Sequence, residues 1–398
     1  MPPLPSPALS VDELSLVGEQ LSEDERRLRA EVRRFVQERF VPRAAGLFER
    51  EEFPRDLVPE LAALGLLGAS IPGYGCAGLS SVQYGLVLQE LEYGDSALRS
   101  FVSVQGSLVM YGIYAFGSAA QKEHFLPRMA RGELIGCFGL TEPDAGSDPA
   151  SLRTRARRDG SDYVLSGTKM WITNAPIADL ALIWAKVDDG GAESIQGFLV
   201  ERGMPGLETP RITGKLSLRA SETGQLVLDG CRVPESHRLP LSHGLRSPLA
   251  CLNEARLGIS WGATGAAKAC FESAVSYVRE RQVFGVPLAR KQLVQSELAD
   301  MAGAIVQADL LALHFSRLKD RREGQLRAEQ VSLCKRNNVK MALDCARTAR
   351  SLLGANGILL EYPVIRHLLN LESVFTYEGT HEIHTLVLGK ALTGESAF

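Results

Sequence analysis

Near the end of the chain, Tyr377-Glu378-Gly379-Thr380 sets a carboxylate beside a glycine, just before an amphiphilic stretch that begins His381-Glu382-Ile383-His384. A carboxylate held at such a turn and partly desolvated gains basicity and can take a proton from carbon, so Glu378 is the candidate base. Phe138-Gly139-Leu140-Thr141-Glu142-Pro143-Asp144-Ala145-Gly146-Ser147-Asp148 combines Thr and Ser hydroxyls with a glycine that admits close backbone approach. It suits a phosphate or the edge of a planar ring, and equally a polar turn between strands. Lys169-Met170-Trp171-Ile172-Thr173-Asn174 puts an indole beside a hydroxyl, which suits a flat ring to be stacked and hydrogen-bonded. Read alone, a core tryptophan on a strand accounts for it better. Arg279, Arg281, Phe284 and Gly285, followed by Gln292, offer a guanidinium for a phosphate or simply a charge facing solvent. Leu353-Gly354-Ala355-Asn356-Gly357 is a glycine-bearing turn, most simply a helix C-cap.

These segments need elements to position them. Ser22 with Glu25 makes a capping box, and Leu28, Val32, Phe35 and Val36 follow at helical spacing. Further helices are predicted over 57–67 and 81–92, separated by the turn-rich Ile71-Pro72-Gly73-Tyr74-Gly75. From about Ile135 the pattern changes to short apolar or alternating runs at 163–166, 180–187, 197–201 and 225–228, bounded by Gly, Asp and Asn, as in an antiparallel sheet. After a linker over 234–240, helical patterns resume at 249–313, 330–353 and 380–392, with the charged run 319–327 as a solvated helix end and connection. The expected fold is α+β in three domains: helical over 1–134, β over 135–243 and helical over 244–398.

The composition points the same way. With 44 Lys and Arg against 47 Asp and Glu, the net charge of −3 gives no electrostatic reason to expect a nucleic acid or an anionic membrane as partner. The seven cysteines are scattered, without a C-x-x-C pair or metal-like cluster, and their odd number fits reduced thiols. No metal is expected. Asp12, Glu13 and Glu19 in the first twenty residues suit neither a secretory signal nor a transit peptide, and no apolar run is read as long enough to span a bilayer. A soluble protein is expected, cytoplasmic in a bacterium or matrix-located if it is a processed mitochondrial chain.

Taken together, FGLTEP-x-AGSD, K-x-WITN, R-x-x-FG-x-P, LG-x-NG and YEGT stand in the order and roughly the spacing of acyl-CoA dehydrogenases, and over essentially the whole chain the sequence resembles that family. Arg99-Ser100-Phe101-Val102-Ser103-Val104-Gln105, Lys215 to Ser221, Cys251 to Arg256, Lys335-Arg336-Asn337-Asn338 and Thr380 to His384 are similar to its glutaryl-CoA branch. The resemblance implies an N-terminal helical domain, a middle antiparallel β domain and a C-terminal helical bundle. It implies FAD held by Phe138, Gly139, Leu140, Thr141, Gly146 and Ser147, with Trp171, Ile172 and Thr173. Thr380, His381 and Glu382 would close that site. Arg281, Gln292, Ser351, Leu352, Leu353, Gly354 and Ala355 would reach the FAD of a neighbouring subunit in a homotetramer, with Ala355 departing from the glycine of many relatives. Ser147 and the run Leu249-Ala250-Cys251-Leu252-Asn253-Glu254-Ala255-Arg256 would line the path of the CoA moiety, and Gly379 would lie beside the thioester.

The resemblance also implies the reaction. Glu378 would take the α-proton of glutaryl-CoA as a hydride leaves the β-carbon for FAD, and Arg99 with Ser100 would meet the distal carboxylate. Loss of carbon dioxide would give crotonyl-CoA, and the electrons would pass to an electron-transferring flavoprotein. Against this stand an enzyme that stops at glutaconyl-CoA and a dehydrogenase of short monocarboxylic acyl-CoAs, in which Arg99 only pairs with Glu92 or Asp95. A non-catalytic scaffold is the reading from a different class.

Overall fold

The computed structural model describes residues 9–188, 194–322 and 325–397. Residues 1–8, 323 and 324, on which parts of the leader and charged-run expectations fall, lie outside them. The chain opens with helices α1 (Val11–Ser15), α2 (Glu23–Phe35), α3 (Val41–Arg50), α4 (Val58–Ala63), α5 (Ser81–Gly94), α6 (Ser96–Ser103), α7 (Tyr111–Phe116) and α8 (Ala119–Ala130). Ser22 caps α2 as expected, its side chain accepting from the Glu25 N–H while the Glu25 carboxylate accepts from the Ser22 N–H. Between α6 and α7 the chain stays helical but widens to a π-helix over Val104–Met110.

The middle of the chain is a sheet of strands β1 (Gly136–Gly139), β2 (Arg155–Asp159), β3 (Asp162–Thr173), β4 (Leu180–Asp188), β5 (Ser194–Glu201), β6 (Leu207–Glu208) and β7 (Thr223–Pro234). It is mixed rather than purely antiparallel. Strand β4 has β5 antiparallel on one edge, while β1 and then β2 lie parallel along the other. Runs as short as β1, buried throughout, read the same in either direction, so sequence periodicity could not show this.

The chain closes with α9 (Arg246–Glu280), a small hairpin of β8 (Gln282–Val283) and β9 (Val286–Pro287), then α10 (Gln292–Arg321), α11 (Ala328–Leu352), α12 (Pro363–Thr376) and α13 (His381–Thr393). The helical pattern expected over 249–313 is therefore two helices broken by the hairpin. By length and composition α10 could cross a bilayer, contrary to the sequence expectation. It is instead a bundle helix whose Met301, Ala302, Ile305 and Ala308 lie in the C-terminal core with residues of α9, α11 and α12. Helix α5 lies directly on α9. A Cβ at Gly262 would overlap the Glu92 carboxylate, and one at Gly265 would overlap the Gln89 carbonyl, so these glycines set how closely the two helices approach.

Candidate active site

Helices α12 and α13 are joined by Tyr377, Glu378, Gly379 and Thr380. Glu378 has φ 51° and Gly379 φ 93°. A left-handed conformation is uncommon for a residue with a Cβ and costs roughly 1–3 kcal/mol, so something must hold it. Three contacts do. Arg256 Nε donates to the Glu378 carbonyl at 2.7 Å, and Lys335 Nζ donates to the carbonyl of Gly379 at 2.6 Å and to that of Tyr377. Gly379 could not carry a side chain even apart from its φ, because a Cβ would stand 2.8 Å from His384 Nε2. Thr380 caps α13, its hydroxyl accepting from the Ile383 N–H at 3.2 Å.

The turn turns the Glu378 carboxylate inward, where Oε2 is out of reach of solvent and has no hydrogen-bond partner. Burial raises its pKa, opposed by the nearby charges of Arg99, Lys335 and Arg256. A carboxylate desolvated, unbonded and faced by three cations suits general-base work. His384 adds no charge: it is 1% exposed, its Nδ1 lies 2.9 Å from the Ser332 hydroxyl, and burial with the charges of Lys335 and Arg256 pushes its pKa down to about 3.

Arg99 is only 1% exposed. Its Nε donates to Glu92 Oε2 at 2.6 Å, its Nη2 donates to the Tyr377 hydroxyl, and its guanidinium carbon lies 5.5 Å from the Tyr377 ring centre. Burial opposes its charge most strongly, but Glu92, Tyr377 and Glu378 together outweigh it and the pKa is raised. The ion pair with Glu92 that sequence reasoning held as the alternative is thus present, and it stands beside the candidate base. Ser100, next on α6, buries a hydroxyl with no hydrogen-bond partner.

The β domain contributes an edge. Pairing of β3 with β7 shifts register between Lys169 and Ile172, and at that bulge Trp171 has φ 63° and is 58% exposed. The indole expected in the core on strand alternation is thrown out of the sheet, with Thr173 half-buried at the same strand end. Thr141 O accepts from the Met170 N–H at 2.9 Å, tying the loop after β1 to this edge. Below it Glu142 accepts from Lys169 Nζ at 2.8 Å, from Thr154 Oγ1 at 2.5 Å and from the Arg153 and Thr154 N–H groups. Gly146 and Ser147 lie exposed, with open space where a Gly146 Cβ would be. Phe138 and Leu140 belong to one apolar core and Ile172 to another, so only their backbone is left to meet a ligand.

The run 249–256 cannot line a groove throughout, because a helix turns consecutive residues to different sides. Cys251 and Ala255 are wholly buried in the core, and Glu254 turns away to bond Lys319 Nζ at 2.6 Å. Leu249, Leu252, Asn253 and Arg256 remain half-buried, with Asn253 Oδ1 accepting from Arg256 Nη1 at 3.1 Å; Ala250 is half-buried too. At the far end of α9, Arg281 and Gln292 are exposed, as are Ser351, Gly354 and Ala355. Asn356 Nδ2 donates to the Tyr277 hydroxyl at 3.1 Å, which joins the two segments. Leu353 is a core residue and Leu352 packs against that core, which leaves their backbone to meet a ligand. His381 stacks on Phe375 at 4.5 Å, while Glu382 is exposed. No cluster of candidate metal ligands occurs among the described residues.

Sequence reasoning assigned no role to Lys335 or His384. The signal was there for Lys335: it falls on the buried stripe of α11 with Val331, Asn338 and Ala342, where a lysine needs a reason.

Sequence profiles of the N-terminal, middle and C-terminal domains of acyl-CoA dehydrogenase match residues 22–133, 137–231 and 242–393. An acyl-CoA dehydrogenase of Bacillus subtilis (strain 168) is 35% identical over 370 residues, 92% of this chain and 97% of that protein. A glutaryl-CoA dehydrogenase from Mycobacterium smegmatis, solved in complex with FADH2, matches with a TM-score of 0.95 and 53% identity, covering 98% of this chain and 100% of that one. A glutaryl-coenzyme A dehydrogenase solved with glutaryl-CoA matches at 0.89 and 34% identity, over 94% and 96% of the two chains.

Proposed function

This chain belongs to the acyl-CoA dehydrogenase family, and on that premise we propose that it binds FAD and converts glutaryl-CoA to crotonyl-CoA and carbon dioxide. The observation that carries the choice of substrate is the buried Arg99 guanidinium, bonded to the hydroxyl of the residue that precedes Glu378. A buried cation is costly unless it is met by anions and hydrogen bonds. Glu92 supplies one anion, and the distal carboxylate of a dicarboxylic acyl thioester would supply another, with the unpartnered Ser100 hydroxyl as a further donor.

The residues present fit FAD: the bulge leaves the Trp171 indole free to meet a flat ring, two residues before the Thr173 hydroxyl, and the loop tied to that edge through Thr141 leaves open space at Gly146. When bound, FAD supplies the acceptor for the hydride that leaves the β-carbon. Glu378 takes the α-proton. Once carbon dioxide has left, the same carboxyl returns its proton to the γ-carbon, acting as base and then as acid. Backbone N–H groups suit the charge that gathers on the thioester oxygen. The far end of α9 supports an oligomer. Arg281 lies exposed 25 residues beyond Arg256, about 37 Å along a straight helix, a placement that supports the reading in which it reaches a neighbouring subunit's FAD. An electron-transferring flavoprotein is the proposed acceptor.

Anaerobic incubation with glutaryl-CoA and an artificial electron acceptor, followed by mass analysis, tests the proposal. Crotonyl-CoA is the expected product. Glutaconyl-CoA alone would remove decarboxylation, and turnover of butyryl-CoA without glutaryl-CoA would remove the dicarboxylic substrate. That last reading has one observation in its favour, the bond that Arg99 already makes to Glu92.

A further inference from the structure

We propose that Lys335 is a positioning residue for Glu378, clasping the carbonyls on either side of it so that the strained turn aims the carboxylate inward, and biasing that carboxylate towards ionisation. The inference rests on the reading of Glu378 as the base. Lys335 is 2% exposed, and the hydrogen bonds of its ammonium run to the backbone of Tyr377 and Gly379. A structural lysine in a core ordinarily bonds a carboxylate, as Lys169 does with Glu142 and Lys268 with Asp309. Lys335 forms no such ion pair among the described residues, and the one carboxylate that acts on its charge is Glu378. Its cation is therefore matched by the candidate base and by two carbonyls that exist to be matched only because the turn is bent back on itself.

The platform beneath it is rigid. One turn further along α11, Asn338 Nδ2 donates to the carbonyls of Ser260 on α9 at 3.1 Å and Ala308 on α10 at 2.9 Å. One turn before it, the Ser332 hydroxyl holds the His384 ring against Gly379. Ser332, Lys335 and Asn338 thus form a buried polar stripe that fixes α11 to the turn and to two other helices. Side chains locked in this way transmit position, and a displacement of about 1 Å at a reacting group costs on the order of a hundredfold in rate.

The charge matters separately from the clasp. Glu378 is faced by Arg99 from α6, Arg256 from α9 and Lys335 from α11, with neutral His384 and the Tyr377 phenol beside it. Burial pushes the Lys335 pKa down to about 7, with Arg256 and Arg99 acting in the same sense and Glu378 against it. Lys335 is thus the one cation of the three that can lose its charge near neutrality, and losing it makes Glu378 harder to ionise.

The test uses the holoenzyme and follows bleaching of the flavin by glutaryl-CoA in a stopped-flow instrument, from pH 5.5 to 9. Lys335→Met should slow bleaching on the order of 10- to 100-fold at pH 7 and move the acid limb of the profile upward. FAD content and affinity for a non-oxidisable acyl-CoA thioether should stay unchanged. Lys335→Gln, which keeps donors but no charge, should recover part of the rate and leave the acid limb displaced. An unmoved profile in both variants overturns the proposal, whether the rate is parental or falls only with FAD content. Failure of both variants to fold around FAD would make Lys335 a framework residue and also overturns it. Glu378→Gln run alongside separates the premise: if that variant still bleaches at the parental rate, the base assignment fails, not the clasp.

Discussion

At the scale of single residues, the structure changes what a substitution at Arg99 measures. Glu92 is wholly buried, accepts from Ser96 Oγ at 2.7 Å and from Arg99 Nε, and would be left without its cation in Arg99→Leu. That variant should lose about 3–5 kcal/mol of stability by urea unfolding, as breaking one side of a buried pair does. Arg99→Leu with Glu92→Gln should recover most of the stability. Neither should recover kcat/KM for glutaryl-CoA, which should stay on the order of 2–5 kcal/mol below the parent while butyryl-CoA loses far less. Equal losses for the two substrates, at matched FAD content, would make Arg99 purely structural. At this scale Glu378 was legible because glycine beside a carboxylate ahead of a helix is a local pattern. Trp171 was not legible alone, since strand alternation predicts a core side chain and only the bulge exposes it. Lys335 was visible in its motif but not in its role, because its partners are backbone carbonyls 42 and 44 residues away.

At the scale of elements, the gap between the base and Arg99 is set by a clasp between α6 and α12. Asp95 caps α6, accepting from the Ala97 N–H at 2.7 Å, and also accepts from Arg366 and from Asn370 Nδ2 on α12 at 3.0 Å. Asp95→Ala should therefore cost more than the ~1 kcal/mol of a lost cap, because Arg366 is buried and would stand unpaired. The expected loss of stability is about 3–5 kcal/mol, read by urea unfolding. A change below about 1 kcal/mol would mean that the helices are held elsewhere. Helix starts were the most legible part of the fold, since Ser22 with Glu25 is a local signal. Strand direction was the least legible: what makes β1 and β2 parallel to β4 is the path of the chain between them, which no short window contains.

At the scale of the whole molecule, buried histidines make the fold sensitive to mild acid. Burial holds His384 at about 3 and His367 well below its ordinary value, whereas in the unfolded chain each titrates near 6.5. Below pH 6.5 the unfolded state therefore binds more protons, and stability falls as pH falls. Glu378, whose raised pKa lets the folded state bind a proton first, opposes this, while His381, whose pKa is also lowered, acts with the two buried rings. The net slope should be about 1 kcal/mol per pH unit between pH 6 and 5, and His384→Gln should flatten it. A parental protein equally stable at pH 7 and pH 5 would show that these rings are not neutral when buried. The helical, β, helical order was legible from changes of hydrophobic period, which act over whole segments. The approach of α5 to α9 was not, because it depends on Gly262 and Gly265 sitting where the Glu92 carboxylate and the Gln89 carbonyl cross them. In genetic terms, every missense change at those two codons adds a side chain between the helices. An allele at Gly265 would press on backbone, and one at Gly262 would press on the Glu92 carboxylate and on Arg99 behind it, so an inventory of harmful variants in this gene should include a cluster on α9 at two glycines that have no side chain of their own to do chemistry.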